Sequence, residues 1–149
     1  MDRDQVGACL RIYDQWHEYA RARDVDKLAA LYASDAELES PLVPVLLGTR
    51  DGVCRGHAAI RRFLEEGTRR RPNKLVRWYR TGDVLCDGRT LFWEYPRHVP
   101  VGAGAGEQID IAEVMEVADG HIRRHRIYWG WFGLERLADS LSRQRAAGE

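Results

Sequence analysis

Ile109-Asp110-Ile111-Ala112-Glu113-Val114-Met115-Glu116-Val117-Ala118-Asp119-Gly120-His121-Ile122-Arg123-Arg124-His125-Arg126-Ile127-Tyr128-Trp129 is the stretch that decides the fold. It reads as two strands joined at Asp119-Gly120, a dipeptide suited to the tight turn of a β-hairpin. Side chains alternate across a strand, so Ile109, Ile111, Glu113, Met115 and Val117 share one face. Upstream, residues 75–86 and 89–99 are also rich in β-branched and aromatic types and flank Asp87-Gly88, a second hairpin signal. Gly102–Gly106 is a flexible turn between the two pairs. The predicted strands are therefore 75–86, 89–99, 108–117 and 121–131, a four-stranded meander. Residues 134–145 add a C-terminal helix or a frayed tail.

The first half reads differently. Val6, Leu10, Tyr13, Trp16 or His17, and Ala20 recur at helical spacing. Asp24 is placed to cap a second helix whose apolar face comes from Lys27-Leu28-Ala29-Ala30-Leu31-Tyr32. A short strand follows over residues 35–40, with Ala36, Leu38 and Ser40 on one face and Glu37 and Glu39 on the other; Pro41 and Pro44 end it. Residues 42–55 are expected as a loop, its apolar start fitting either a lid over a pocket or a segment folded over the core. A third helix opens at Gly56-His57-Ala58-Ala59-Ile60 and runs to about residue 68. Arg69-Arg70-Arg71-Pro72 breaks it, the arginines reading as a solvated helix end rather than a phosphate site. Helices first and antiparallel strands after them indicate an α+β domain, one unit over residues 1–149, with helices packed on one sheet face.

Composition narrows the function. The 149 residues carry 23 basic and 23 acidic side chains, a formal net charge of zero, so the global basic footprint of a nucleic-acid binder is missing. No apolar run reaches the roughly 20 residues needed to cross a bilayer, and the polar N-terminus is no signal peptide. Neither nucleic acid nor membrane is an expected partner. Cys9, Cys54 and Cys86 are odd in number and far apart, without metal or disulfide spacing, and are expected as reduced thiols of a cytoplasmic protein. No zinc or iron spacing and no glycine-rich phosphate loop occurs, so no cofactor is expected.

Asp24-Val25-Asp26-Lys27-Leu28-Ala29-Ala30-Leu31-Tyr32-Ala33-Ser34-Asp35-Ala36, then Glu39-Ser40-Pro41, then Gly56-His57-Ala58-Ala59-Ile60-Arg61-Arg62-Phe63, and lastly the hairpin around Asp119-Gly120, together resemble the nuclear transport factor 2-like superfamily. The resemblance is to its SnoaL-like and ketosteroid-isomerase-like branches and covers almost the whole chain. It implies a cone-shaped fold in which three N-terminal helices pack on a strongly curved antiparallel sheet and leave a pocket at the wide end. It also implies a homodimer. Its members isomerise steroids, cyclise polyketide intermediates, hydrate epoxides, dehydrate substrates, or only bind and assemble, so the fold does not choose among them.

Residue by residue, the isomerase pattern is altered. The proton-moving aspartate just before the first-strand proline is replaced by Ser40, which cannot act unaided as a general base. The tyrosine that meets the oxyanion from the first helix is matched by Trp16, which donates one hydrogen bond. The acidic oxyanion donor is matched by Glu113. The epoxide-hydrolase pattern fails too: Arg126-Ile127-Tyr128 resembles its local sequence, but Ile127 stands where an acid belongs.

Glu113 is the one acid among four apolar residues on its strand face, and burial there disfavours its charged form. Its partner depends on register. With a three-residue connection Ala118-Asp119-Gly120, Glu113 faces His125, Met115 faces Arg123, Ile111 faces Ile127 and Ile109 faces Trp129; the matched apolar pairs favour this. A two-residue turn instead sets Glu113 against Arg126 as a structural ion pair, and the two cases differ in every facing. In the first, Glu113 and His125 are candidate catalytic residues that share a proton, the acid orienting the ring and His125 acting on substrate. The alternative is a buried pair that only satisfies itself.

Trp16, Tyr32, Ser40, Trp78 (or Tyr79), Trp93, Met115 and Trp129 are candidate substrate-binding residues, since ligand pockets are mostly apolar with a few polar groups. Tyr13 and Tyr19 fit either the pocket or the helix surface. His17, three positions after Asp14 and four before Arg21, reads as a helix-face residue, His57 as a surface residue, and Glu94 as a partner of Arg80. Three functions follow. The first is a cofactor-independent enzyme moving protons on a small apolar carbonyl compound by cyclisation, isomerisation or dehydration. The second is a binding protein for a hydrophobic small molecule, and the third a dimeric accessory module.

Overall fold

The structure, a computed structural model, describes residues 3–70, 84–100 and 106–147. Its elements run α1 (Arg3–Ala22), α2 (Val25–Ala30), β1 (Tyr32–Glu39), α3 (Leu42–Leu47), β2 (Val53–Arg55), α4 (His57–Arg70), β3 (Val84–Cys86), β4 (Thr90–Pro100), β5 (Gly106–Ala118), β6 (His121–Trp129) and α5 (Trp131–Ala147). This is the expected α+β architecture of N-terminal helices on a curved sheet. The six strands lie in the order β2-β1-β6-β5-β4-β3. All neighbours are antiparallel except β1 and β6, which run parallel.

The helices form where their apolar stripes demand burial. Cys9, Ile12, Tyr13, Trp16, His17 and Ala20 make one face of α1 and are all buried. Asp24 caps α2 by accepting from the Lys27 backbone N–H at 3.0 Å. The second helix stops sooner than its apolar run suggests. The carbonyl of Leu31 accepts from Ile122 N of β6 at 2.8 Å, which draws the chain into the sheet and makes Tyr32 the first residue of β1 rather than part of a helix face.

The expected loop over 42–55 contains α3 and β2 instead, and it folds over the core, with Val43 and Leu46 buried in it. Pro44 is tolerated because it sits in the first turn of α3, where backbone N–H groups have no helical acceptor. Ser40 Oγ accepts from Leu42 N at 3.2 Å, and Gly48 closes the helix at φ 67°, a left-handed geometry that costs glycine little. β2 then pairs with β1, Leu38 opposite Cys54. Trp131, expected at the end of the last strand, opens α5; Leu134 N already donates to Gly130 O at 3.1 Å. Arg69 and Arg70 end α4 paired with Glu66, as a solvated helix end should. Of the strand expected over 75–86 only Val84–Cys86 lies within the described residues, and Arg80, the expected partner of Glu94, lies outside them.

The β5–β6 hairpin departs from both expected registers. Asp119 and Gly120 have φ of 52° and 72°, the positive pair that a two-residue turn with the twist of the strands requires. Ala118 pairs with His121 and Val117 with Ile122. A bulge follows, because Glu116 then pairs with Arg124, leaving Arg123 as an extra residue. Beyond it Met115 lies opposite His125 and Glu113 opposite Ile127. Glu113 and His125 are thus diagonal neighbours on one face, not direct partners.

The three thiols differ in surroundings. Burial pushes the Cys9 thiol up to about 11, with Cys86 and Asp87 adding to the effect. Burial, helped by Asp51, does the same to Cys54, also to about 11. Cys86 is half-buried. As the one thiol of the three that is not fully buried, Cys86 alone should react promptly with an aromatic disulfide reagent at pH 7.5. Cys9 and Cys54 should react only after denaturant is added, and mass spectrometry of the labelled peptides would check this.

Candidate active site

Four elements each supply one side chain to a hydrogen-bonded line in the core. Trp16 projects from α1, Tyr32 from the first position of β1, His125 from β6 beyond the bulge, and Glu113 from the middle of β5. All four are buried; Glu113 is 1% exposed and His125 0%. Trp16 Nε1 lies 3.2 Å from Tyr32 Oη, Tyr32 Oη 2.7 Å from His125 Nδ1, and His125 Nε2 2.6 Å from Glu113 Oε2. Indole can only donate, so Tyr32 oxygen accepts from Trp16. The Tyr32 hydroxyl then donates to Nδ1, and Nε2–H donates to the Glu113 carboxylate. In this arrangement the bonds from Trp16 to Glu113 all run in one direction. Both ring nitrogens of His125 are engaged.

Aromatic rings enclose this line. Trp93 of β4 lies directly opposite Glu113 across the β4–β5 ladder. Its ring is 5.1 Å from Tyr13, 5.4 Å from His17 and 6.4 Å from His125 between centroids. Its indole N–H is buried with no hydrogen-bond partner among the described residues. Met115 packs against the same wall, fully buried opposite His125. Ser40 and Trp129 are elsewhere. They line an open recess of about 350 Å³ with Arg126 and Ile127, and the Ser40 hydroxyl oxygen is engaged with Leu42 N. Trp78 and Tyr79 lie outside the described residues.

His17 is not the helix-face residue its charged neighbours suggest. It is 2% exposed, and its Nδ1–H donates to the Tyr13 carbonyl at 2.9 Å. The signal was in the stripe: Tyr13, His17 and Ala20 share the α1 face with Trp16, so all of them turn inward. Tyr13 is buried on that face and Tyr19 is only partly buried, under the ammonium of Lys27. His57 is half-buried and holds the start of α4 to the end of α2, its Nε2–H donating to Ala29 O at 2.9 Å.

Burial lowers the His17 pKa, outweighing the opposing effects of the Tyr13 carbonyl, Glu113 and Asp14. The folded state therefore resists protonation that the unfolded chain accepts at about 6.5. Stability from this residue is complete above that value and is lost as pH falls below it. His17→Leu should flatten the decline in urea midpoint between pH 7.5 and pH 5.5.

A sequence model of the SnoaL-like domain matches residues 13–125, most of the chain. The chain belongs to the SnoaL-like domain family. No curated protein matches this SnoaL-like chain by sequence. Among solved structures it is similar to a nuclear transport factor 2-like protein of unknown function from Burkholderia pseudomallei, with 16% identity, a TM-score of 0.68, and coverage of 87% of this chain and 96% of that one. It is also similar to a steroid delta-isomerase from Pseudomonas aeruginosa, with 19% identity, a TM-score of 0.65, and coverage of 94% and 93%. A third is TerC co-crystallised with polyporic acid, with 19% identity, a TM-score of 0.67, and coverage of 89% and 98%. At such identities the likeness shows a shared fold. Among the described residues no helix is long and apolar enough to cross a membrane, and no three His, Cys, Asp or Glu side chains gather as a metal site.

Proposed function

We propose that this SnoaL-like protein is a cofactor-independent enzyme that moves a proton on a small, largely apolar carbonyl compound. The observation that carries the reading is the 2.6 Å contact between two ionisable side chains that are both sealed from solvent. Buried, interacting titratable groups are the usual equipment of proton transfer. Because both nitrogens of His125 are engaged, the group that exchanges a proton with substrate is Glu113. His125 is a positioning residue: it holds the carboxylate, and Tyr32 and Trp16 hold the imidazole. Glu113 takes a proton from the carbon next to the carbonyl, leaving an enolate whose oxygen needs a donor. The indole N–H of Trp93 is the donor we assign to it. The protonated acid returns the proton to another carbon, which is isomerisation. In dehydration the enolate expels a β-hydroxyl, which takes the proton from Glu113 and leaves as water; in cyclisation the enolate carbon bonds to a second carbonyl of the same molecule, and the alkoxide so formed takes that proton. The steroid delta-isomerase and the polyporic acid complex among the fold neighbours agree with a small-molecule occupant.

The test is exchange of substrate protons for deuterium, followed by proton NMR in heavy water over a panel of apolar ketones. The expected result is loss of α-proton signal faster than in buffer for at least one compound. If no compound exchanges faster with the protein than without it, the catalytic reading is wrong. The second reading, a binding protein without chemistry, is favoured by the completeness of the bonds from Trp16 to Glu113. It predicts saturable ketone binding with no exchange.

A further inference from the structure

Helix α1 and the β3–β4 hairpin run side by side in matched steps. At one end Gly88, in the hairpin turn, lies against the first turns of α1: a Cβ placed there would sit 3.3 Å from Gln5 Cβ and 3.6 Å from Val6 N. At the other end the Tyr13 ring is 5.1 Å from that of Trp93, which pairs with Val84 of β3. Four helical residues advance about 6 Å and two strand residues about 6.6 Å, so the step between these contacts sets Cys9 beside Cys86. Both side chains turn into the seam. Cys9 lies on the buried stripe of α1. Cys86 pairs with buried Leu91 and packs against the core, whereas Leu85 before it points outward. The Cys86 sulfur is steadied by the Gly88 N–H, which donates to it at 3.4 Å. Direct interaction with Cys86 is, after burial, what raises the Cys9 thiol.

We propose that Cys9 and Cys86 are a dithiol that hydrogen peroxide converts to a disulfide, clasping α1 to the β3–β4 hairpin. Cys86 is the accessible partner, so its thiolate attacks the peroxide first. The O–O bond breaks, one oxygen stays on sulfur as a sulfenic acid, and the other leaves as hydroxide, which takes up the thiol proton to become water. The Cys9 thiolate then attacks the Cys86 sulfur. The S–S bond forms, the S–O bond breaks, and hydroxide leaves with the Cys9 proton as a second water. Two thiols lose two electrons in all, and one peroxide gains them. Closure is slow near neutrality, where Cys9 is held protonated, so prompt labelling of Cys86 outruns it. The bond would tie down the helix that supplies Trp16 to the buried line, and it does not depend on Glu113 acting as a base.

The test treats the reduced native protein with hydrogen peroxide and maps its peptides by mass spectrometry without reduction. The expected result is a peptide holding Cys9 joined to one holding Cys86 within a single molecule, with Cys54 still a thiol. Closure should quicken about tenfold per pH unit between pH 7.5 and pH 9.5, as the Cys9 thiolate becomes more abundant. Linking two distant points of the chain restricts the unfolded state, so the urea midpoint of the oxidised protein should rise by about 1 M and fall back on reduction with a phosphine. Cys86→Ser should show neither the link nor the rise. A Cys86 that stays a thiol, passes on to sulfinic acid, or joins a second molecule instead of Cys9 overturns the proposal. So does a linked protein whose urea midpoint is unchanged or lower, because the bond would then strain the seam rather than clasp it.

Discussion

Glu113→Gln is expected to slow α-proton exchange by about 10²- to 10⁴-fold, the usual contribution of a positioned general base. Glutamine keeps the shape of the side chain. Its amide oxygen can still accept from His125 Nε2–H, so the line from Trp16 through Tyr32 and His125 survives. What disappears is the ability to take a proton. The fold should therefore persist, as judged by an unchanged urea transition, while the rate collapses. Tyr32→Phe offers the contrast. It leaves Glu113 in place but deprives His125 Nδ1 of its donor, so the imidazole is no longer held to one tautomer. A smaller loss with a shifted pH profile is expected, because the tautomer, not the base, is disturbed. An exchange rate in Glu113→Gln equal to that of the wild type would remove Glu113 from the chemistry.

The second large effect concerns stability. His125→Leu should destabilise the protein by about 3–5 kcal/mol, the cost of breaking a buried pair from one side. The loss comes less from the missing bond than from what it leaves behind, a carboxylate 1% exposed that has lost its imidazole and a tyrosine hydroxyl that has lost its bond to Nδ1. Removing both partners should be far milder. In Glu113→Leu/His125→Leu the charge is gone, and Ile111, Met115 and Ile127 surround the site with hydrocarbon. The double variant should recover most of the loss, as apolar replacements of buried ion pairs commonly do. Urea denaturation of the four proteins closes the cycle, with equal slopes required for comparison. Additive losses would mean that the two side chains do not interact.

Much of this arrangement was legible in the sequence. Alternation over 109–117 marked Glu113 as an acid among apolar neighbours, and Asp119-Gly120 marked the turn, so both strands were found. The contact with His125 was anticipated for a reason that proved incomplete. The turn uses two residues, which alone would set Arg126 opposite Glu113. The bulge at Arg123 adds one more position. Each deviation exchanges the two faces of β6, and together they restore them, so His125 faces inward two positions from where simple pairing puts it. Arg123-Arg124 was the signal, since two exposed residues in succession between buried Ile122 and His125 break the alternation.

Other features depended on partners far away in the chain. Nothing local ends α2 at Ala30; a backbone bond from Ile122 does. The burial of His17 could not be told from its neighbours Asp14 and Arg21, because Trp93 of β4 is what covers it. Nor could residues 42–55 be read as ordered, since β2 exists only against β1. These are tertiary effects overriding local preference.

The parallel seam between β1 and β6 carries a consequence for biosynthesis. β1 emerges early from the ribosome, yet its neighbour on that side is the last strand to be made, with Tyr32 and His125 separated by 93 positions. Until translation passes Trp129, the nascent chain holds Ala36 and Leu38 without the strand that buries them. Such long-range closure is slow and leaves apolar surface open to misassociation, so a message truncated before β6 should yield an aggregating product that chaperones retain.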